Sequence, residues 1–253
     1  MIKMQEDGMH LVKQLLKEKG IVIRERTPIE IMLYGIFLYL CKFSLRDVVM
    51  AIRIFIKRSR TAIWKWVQKF GNIIKEHIAD EMSDIVVIDE TMLQIGDTKF
   101  WFWFVLDPEN RKIIFFMISR SRTDSACQKL IYKMWKMYGK LPSIALTDGG
   151  AWYLILRRYG IQHEVISGGI RNYIERVIET IKDRTRIFDH YFPSKRWEIK
   201  HVKSWLSLYI FYYNWIRSHL SLSNNSPIFH SRKIKIDNEY KRFVLALQEV
   251  LQC

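Results

Sequence analysis

Cysteine is scarce in this chain: Cys41, Cys127 and Cys253 stand far apart and form no CxxC pair. That excludes a disulfide framework and a paired-cysteine zinc site, and it suits a reducing compartment. No P-loop, GxSxG elbow, HExxH helix or cysteine-nucleophile signature occurs, which removes the commonest signatures of nucleotide, ester and zinc-dependent peptide hydrolysis. Long apolar runs are also missing. The longest apolar uncharged stretches, Ile31–Cys41 and Ser204–Ile216, are too short to span a bilayer and read as buried helices. Met1–Glu18 carries charge throughout and lacks the apolar core of a signal peptide. There is no internal repeat and no low-complexity segment. A soluble, intracellular, cytoplasmic protein without a membrane partner is expected.

What is present is an apolar and basic chain of 253 residues, 49% hydrophobic and 14% aromatic, too rich in core-forming side chains to be disordered. Its 41 Lys and Arg against 26 Asp and Glu leave a formal charge of +15. Such a field draws polyanions, and each neutralised phosphate releases condensed counterions. A membrane surface or ribosomal RNA would answer the same charge, so composition favours nucleic acid without fixing it.

The texture changes near Asp80–Ser83, and four of the five prolines follow that point. Before it, apolar residues recur at helical spacing. Thr27 and Pro28 read as N-cap and first helical residue, Ser44 as the cap of a helix over 45–54, and residues 61–70 as a third helix. Two short helices joined by a tight turn follow the helix-turn-helix plan, with Lys57, Arg58, Arg60, Lys65 and Lys69 available to DNA. A helical bundle with a solvated basic face fits the same pattern. After the boundary come an unbroken apolar strand at 85–88, a hairpin of 99–106 and 112–118 around Asp107-Pro108-Glu109-Asn110, and a helix over 123–137. A strand at 143–147, a helix at 151–159, a strand at 163–166, a long helix from Tyr173 to about Phe188 and a last one over 198–216 complete the pattern. The order predicts an α/β ribonuclease H-like fold, a mixed sheet flanked by helices, after an all-helical amino-terminal domain. The expected domains are 1–80, 81–230 and a helical tail, 231–253.

Asp89 and Asp148 each end a short strand, and Asp148 is followed by two glycines. Ligands gather at the carboxyl ends of strands in open α/β sheets, although strand-end aspartates also cap turns. Glu175, Glu179, Lys182 and Arg186 fall on one stripe of the long helix, away from Ile174, Val177, Ile178, Ile181 and Phe188. Asn172 and Glu175 also fit a capping box, and spacing alone leaves Glu175 and Glu179 as rivals. Three carboxylates suit hard cations, which bind through a few carboxylates, phosphate and water. Two such ions about 3.5–4 Å apart activate the attacking oxygen and stabilise the leaving one. Serine or tyrosine recombinase chemistry would leave these carboxylates without a role.

At these residues the sequence resembles the DDE transposases of insertion sequences, most closely insertion sequence family six. The resemblance lies in Val87-Ile88-Asp89-Glu90-Thr91, in Leu146-Thr147-Asp148-Gly149-Gly150, and in Asn172-Tyr173-Ile174-Glu175-Arg176 running into Lys182-Asp183-Arg184-Thr185-Arg186. Tyr213-Asn214-Trp215-Ile216-Arg217-Ser218-His219 with Ser226-Pro227 is similar to the family's closing helix and tail. Ser44-Leu45-Arg46-Asp47 and Ile63-Trp64-Lys65-Trp66-Val67 are similar to its helix-turn-helix, so the likeness spans about residues 27–227. It implies catalysis by Asp89, Asp148 and Glu175, which hold two Mg2+ or Mn2+ ions, and selects Glu175 over Glu179. It implies terminal inverted repeats and target DNA as partners, and nicking to a free 3′ hydroxyl followed by strand transfer, typically to a cointegrate. It further implies a homodimer or larger assembly associated with the nucleoid. Lys182, Arg184 and Arg186 are then expected on the phosphates of the cleaved end. The separation of Asp148 and Glu175, 27 positions, is shorter than in much of the family; a shorter connection before the Glu175 helix accounts for it. Other expectations the same residues allow are a ribonuclease H-like nuclease or resolvase that cuts without joining, and a domesticated transposase acting only by binding DNA. Trp101 and Trp103 read as core, and His219 as a satisfied surface histidine.

Overall fold

The computed structural model describes residues 2–166, 169–188, 192–193 and 199–252. In chain order its elements are helices α1 (Ile2–Glu18), α2 (Ile29–Leu40), α3 (Leu45–Ile52) and α4 (Arg60–Ile73); strands β1 (Ile85–Ile95), β2 (Thr98–Leu106) and β3 (Ile113–Ser119); and α5 (Asp124–Tyr138). There follow β4 (Ile144–Thr147), a 3-10 helix (Ala151–Tyr159), β5 (Gln162–Val165), α6 (Gly169–Thr185), α7 (Ile199–Phe211), a π-helical turn (Tyr212–Ile216), α8 (Pro227–Ser231) and α9 (Glu239–Gln252). The chain forms two compact units, Met1–His77 with Lys200–Cys253, and Ile78–Ile199. The first junction falls three residues before the expected boundary. The carboxy-terminal helices, expected partly in the catalytic domain and partly as a tail, fold instead with the amino-terminal ones.

In the helical unit, Ser44 caps α3 in a capping box: its hydroxyl accepts from the Asp47 N–H, and the Asp47 carboxylate accepts from the Ser44 N–H. Ser59 caps α4 by accepting from the Ala62 N–H. Thr27 does not cap α2 as expected; Pro28 holds that position, and the Thr27 hydroxyl accepts from Arg58 Nε at 2.6 Å. The helices close around a buried apolar interior. Trp205 Nε1 donates to the Tyr39 hydroxyl at 3.1 Å, and Gln248 donates to the Gly8 carbonyl at 2.8 Å, tying α9 to α1. A Cβ on Gly71 would lie 1.8 Å from the Ser204 carbonyl oxygen, so α4 and α7 cross backbone to backbone there. Arg242 is fully buried and donates to the carbonyls of Ile216, Asn224 and Ile236 and to the Ser218 hydroxyl, tying three loops together.

The second unit is a five-stranded sheet in the order β3-β2-β1-β4-β5, with β2 antiparallel to both neighbours and β4 and β5 parallel to β1. This is the expected ribonuclease H-like arrangement. Hydrophobic alternation gives each face its own lining. Val86, Ile88, Trp103, Val105 and Ala145 pack with Ala126, Cys127, Leu130, Ile131 and Met134 of α5 and with Tyr153 and Leu156 of the 3-10 helix. Asp107 closes the β2–β3 hairpin by accepting from the N–H groups of Glu109 and Asn110. Buried Lys112 is neutralised by Asp80 at 2.8 Å. Strand β1 is longer than the expected 85–88: past the end of its pairing with β4 it continues against β2 alone as far as Ile95. No helix among the described residues is long and apolar enough to cross a membrane.

Candidate active site

Asp89 therefore sits within a strand rather than at its end, at the point where β1 loses β4 as a neighbour. Val87 pairs with Leu146 in the parallel ladder, and two residues further along each strand stand Asp89 and Asp148. Parallel neighbours lie about 4.8 Å apart, so the register alone sets the two aspartates side by side. One ligand oxygen each from Asp89, Glu90 and Asp148 lies within 4.8 Å of the other two. Asp89 is half-buried, Asp148 exposed and Glu90 buried.

The turn after β4 is built for this approach. Asp148 Oδ1 accepts from the Gly150 N–H at 3.0 Å, and the Thr147 hydroxyl accepts from the Gly149 N–H at 3.1 Å. Gly149 holds φ +85°, a left-handed conformation that side chains resist, and a Cβ on Gly150 would lie 2.4 Å from the Trp152 ring. Thr147 is also bonded to His163 Nε2 of β5 at 2.7 Å. Burial, reinforced by repulsion from Arg157, lowers the His163 imidazole below its ordinary value, against an opposing pull from Asp148.

Glu90, absent from the expected site residues, is the acidic group that the sequence reading missed. It follows Asp89 on β1 with its side chain buried, yet one of its oxygens stays within 4.8 Å of the ligand oxygens of Asp89 and Asp148. Its two oxygens are engaged, Oε2 by the Tyr153 hydroxyl and Oε1 by Arg122 at 3.3 Å. Burial raises its carboxyl above the ordinary range; Tyr153 and Arg122 oppose that shift, and Asp148 adds to it. The signal available in sequence was the acidic pair Asp89-Glu90 itself. Trp103 is core, as expected, whereas Trp101 is half-buried and lies against Arg122.

Helix α6 runs alongside β1. Its continuation is tied to the strand's far end, where the Gly96 N–H donates to the Phe188 carbonyl at 2.9 Å. Glu179, Lys182 and Arg186 line an open cleft of about 460 Å³ with Met92, Leu93 and Gln94. Glu175 is one turn earlier, about 6 Å back along the axis, in the direction that leads along β1 from Met92 towards Asp89. Its side chain is exposed. The helix starts at Gly169, not at the expected Tyr173, so Asn172 lies inside it and cannot act as its N-cap. The capping-box role for Glu175 is thereby removed.

Of the expected DNA contacts, Arg60, Lys65 and Lys69 on α4, Lys182 on α6 and Arg186 just past its end are exposed, while Arg184 is half-buried on a different face. Arg58 is committed to the fold: its guanidinium donates to Thr27, to the Arg26 carbonyl and to the Lys57 carbonyl. His219 is satisfied by the Tyr213 carbonyl at 3.2 Å.

No protein-family model matches the chain. It is 28% identical over 211 residues to the uncharacterized protein MJ0017 of Methanocaldococcus jannaschii, covering 83% of this chain and 97% of that one. Among solved structures it is similar to the catalytic core domain of HTLV-2 integrase in complex with magnesium, with a TM-score of 0.41 and 14% identity over 59% of this chain and 97% of that one. It is also similar to the catalytic core domain of BIV integrase, with a TM-score of 0.44 and 15% identity over 60% of this chain and 96% of that one.

Proposed function

We propose that the protein is a DDE transposase of an insertion sequence, most like family six, which cuts DNA at transposon ends and joins the 3′ ends to target DNA. The observation that carries this reading is the convergence of Asp89 and Asp148 on two adjacent inner strands of a ribonuclease H-like sheet, their ligand oxygens within 4.8 Å. Asp89, Asp148 and Glu175 are the catalytic carboxylates. An all-oxygen donor set on two adjacent strands fits magnesium or manganese. Two such ions would supply an activated hydroxyl nucleophile and charge neutralisation at the leaving oxygen.

The chain's own residues hold the carboxylates at fixed spacing and take up the DNA. The Gly149-Gly150 turn fixes Asp148 beside Asp89. Helix α6 brings Glu175 along β1 in the direction of Asp89, and Glu179 towards Met92 and Gln94, which supports Glu175 as the third ligand. Lys182 and Arg186 follow on the same stripe for phosphates of the cleaved end, with Arg184 a weaker candidate. Arg60, Lys65 and Lys69, on the second helix of a helix-turn-helix, bind the terminal inverted repeats; Arg58, just before that helix, is held instead by Thr27 and Arg26. The enzyme works as a homodimer or larger assembly at the nucleoid.

The test is Asp89→Asn on duplexes carrying the inverted repeats that flank the gene. Metal-dependent nicking and transfer of a labelled 3′ end should be abolished, while binding to the repeat stays within about twofold, worth about 0.4 kcal/mol. Parallel loss of binding and cleavage would make Asp89 structural and overturn the reading. Nicking without any transfer would favour a resolvase-type nuclease.

A further inference from the structure

Arg122 lies on the loop between β3 and α5, outside the three carboxylates and the basic stripe of α6. Its guanidinium carbon is 4.4 Å from the Trp101 ring centroid and 4.1 Å from that of Trp152, and it donates to buried Glu90. Trp152 and Tyr153 belong to the 3-10 helix that follows Asp148 directly, and Tyr153 holds the other oxygen of Glu90. Arg122 is thus fixed to β1, β2 and the Asp148 turn at once. Yet 38% of its side chain remains exposed, against 1% for Glu90. Among the described residues it makes no other hydrogen bond. A guanidinium has five N–H donors, so most of them face outward from a side chain whose freedom has already been spent.

A brace for Glu90 would not need this construction. One N–H suffices for the remaining oxygen of Glu90, since Tyr153 already holds the other. Two indole faces leave the N–H edge as the group's only polar surface and hold it there, which is the arrangement that suits bidentate recognition of phosphate. We propose that Arg122 is a phosphate-binding residue of the carboxylate site, positioned by Trp101, Trp152 and Glu90 to take a backbone phosphate of the DNA strand lying across Asp89 and Asp148. The proposal rests on the DNA-processing reading above. It also gives Glu90 a role: the carboxylate orients Arg122.

The experiment measures binding of the full chain to a fluorescent duplex over a KCl series in calcium, an oxygen-seeking cation like magnesium. Removing one phosphate contact should flatten the slope of log K against log salt by about 0.9. Arg122→Gln should therefore bind less tightly and with the flatter slope. Arg122→Lys, which keeps the charge but cannot form the fork, should recover the slope and not the affinity. Because Arg122→Gln strands a buried carboxylate, the double variant Arg122→Gln/Glu90→Gln is measured beside it; its neutral pair still accepts from Tyr153. A wild-type slope in both Gln variants overturns the proposal and leaves Arg122 a structural brace. Cleavage by wild type and by Asp89→Asn is scored in parallel. Equal cleavage by the two overturns the transposase reading while the slope still decides Arg122, and a wild type that binds no DNA overturns both.

Discussion

At the scale of single residues, the two glycines after Asp148 carry the most specific demands. Gly149→Ala forces a side chain into the left-handed region and should cost about 1–2 kcal/mol. Gly150→Ala sets a methyl group 2.4 Å from the Trp152 ring and should cost about 1–3 kcal/mol by overpacking. Urea midpoints measure both losses, and cleavage should fall further than stability in each because Trp152 also holds Arg122. His163 offers a test of sign. Its imidazole is held neutral, with a value below the ordinary one, so its contribution is complete above about pH 6.5 and is lost as pH falls through the lowered folded value. Between about pH 7 and about pH 5 the wild type should therefore lose stability faster than His163→Gln. Equal slopes would mean that the imidazole titrates as it does in the unfolded chain. Cys127 provides a third check: burial pushes its thiol up to about 12, so mass spectrometry after alkylation at neutral pH should find it unmodified until the chain is unfolded.

At the scale of elements, what was legible in the sequence is the set of patterns that need no partner. Ser44 marks a helix start because capping is local. The 99–106 and 112–118 hairpin was readable from Asp107-Pro108-Glu109-Asn110, where the Asp107 carboxylate accepts the turn bonds of Glu109 and Asn110. The length of β1 was not readable, because Asp89-Glu90-Thr91 interrupts the apolar run and only the aromatic β2 strand beside it shows that the ladder continues. Thr27 was misread as a cap for a similar reason: its hydroxyl is taken by Arg58, 31 positions away. In the site, Asp89 and Asp148 were visible as strand-associated aspartates, the second followed by two glycines, whereas the network of Glu90, Tyr153 and Arg122 joins three segments that no local pattern links. The choice between Glu175 and Glu179 belongs to this scale. Glu175→Gln should abolish metal-dependent cleavage, and Glu179→Gln, beside Met92 and Gln94 in the cleft, should retain it within about tenfold, or about 1.4 kcal/mol. The opposite ranking in single-turnover assays would move the third carboxylate one turn along α6.

At the scale of the whole molecule, the helical unit is drawn from both ends of the chain and the sheet unit from one continuous stretch between them. Within the helical unit, Arg242 on α9 gathers the segments around Ile216, Asn224 and Ile236. Arg242→Met should cost about 3 kcal/mol, because several buried carbonyls lose their donor together. A smaller loss in chemical unfolding would mean that water replaces the guanidinium.

The pairing of α1 with α9 also bears on the order of events during synthesis. The ribosome releases the first helix long before its partner exists, while the sheet unit emerges whole and can fold as it leaves. The apolar side of α1 must therefore wait until α9 has been made. A nascent chain halted before Glu239 is the form in which chaperones would meet this molecule most often.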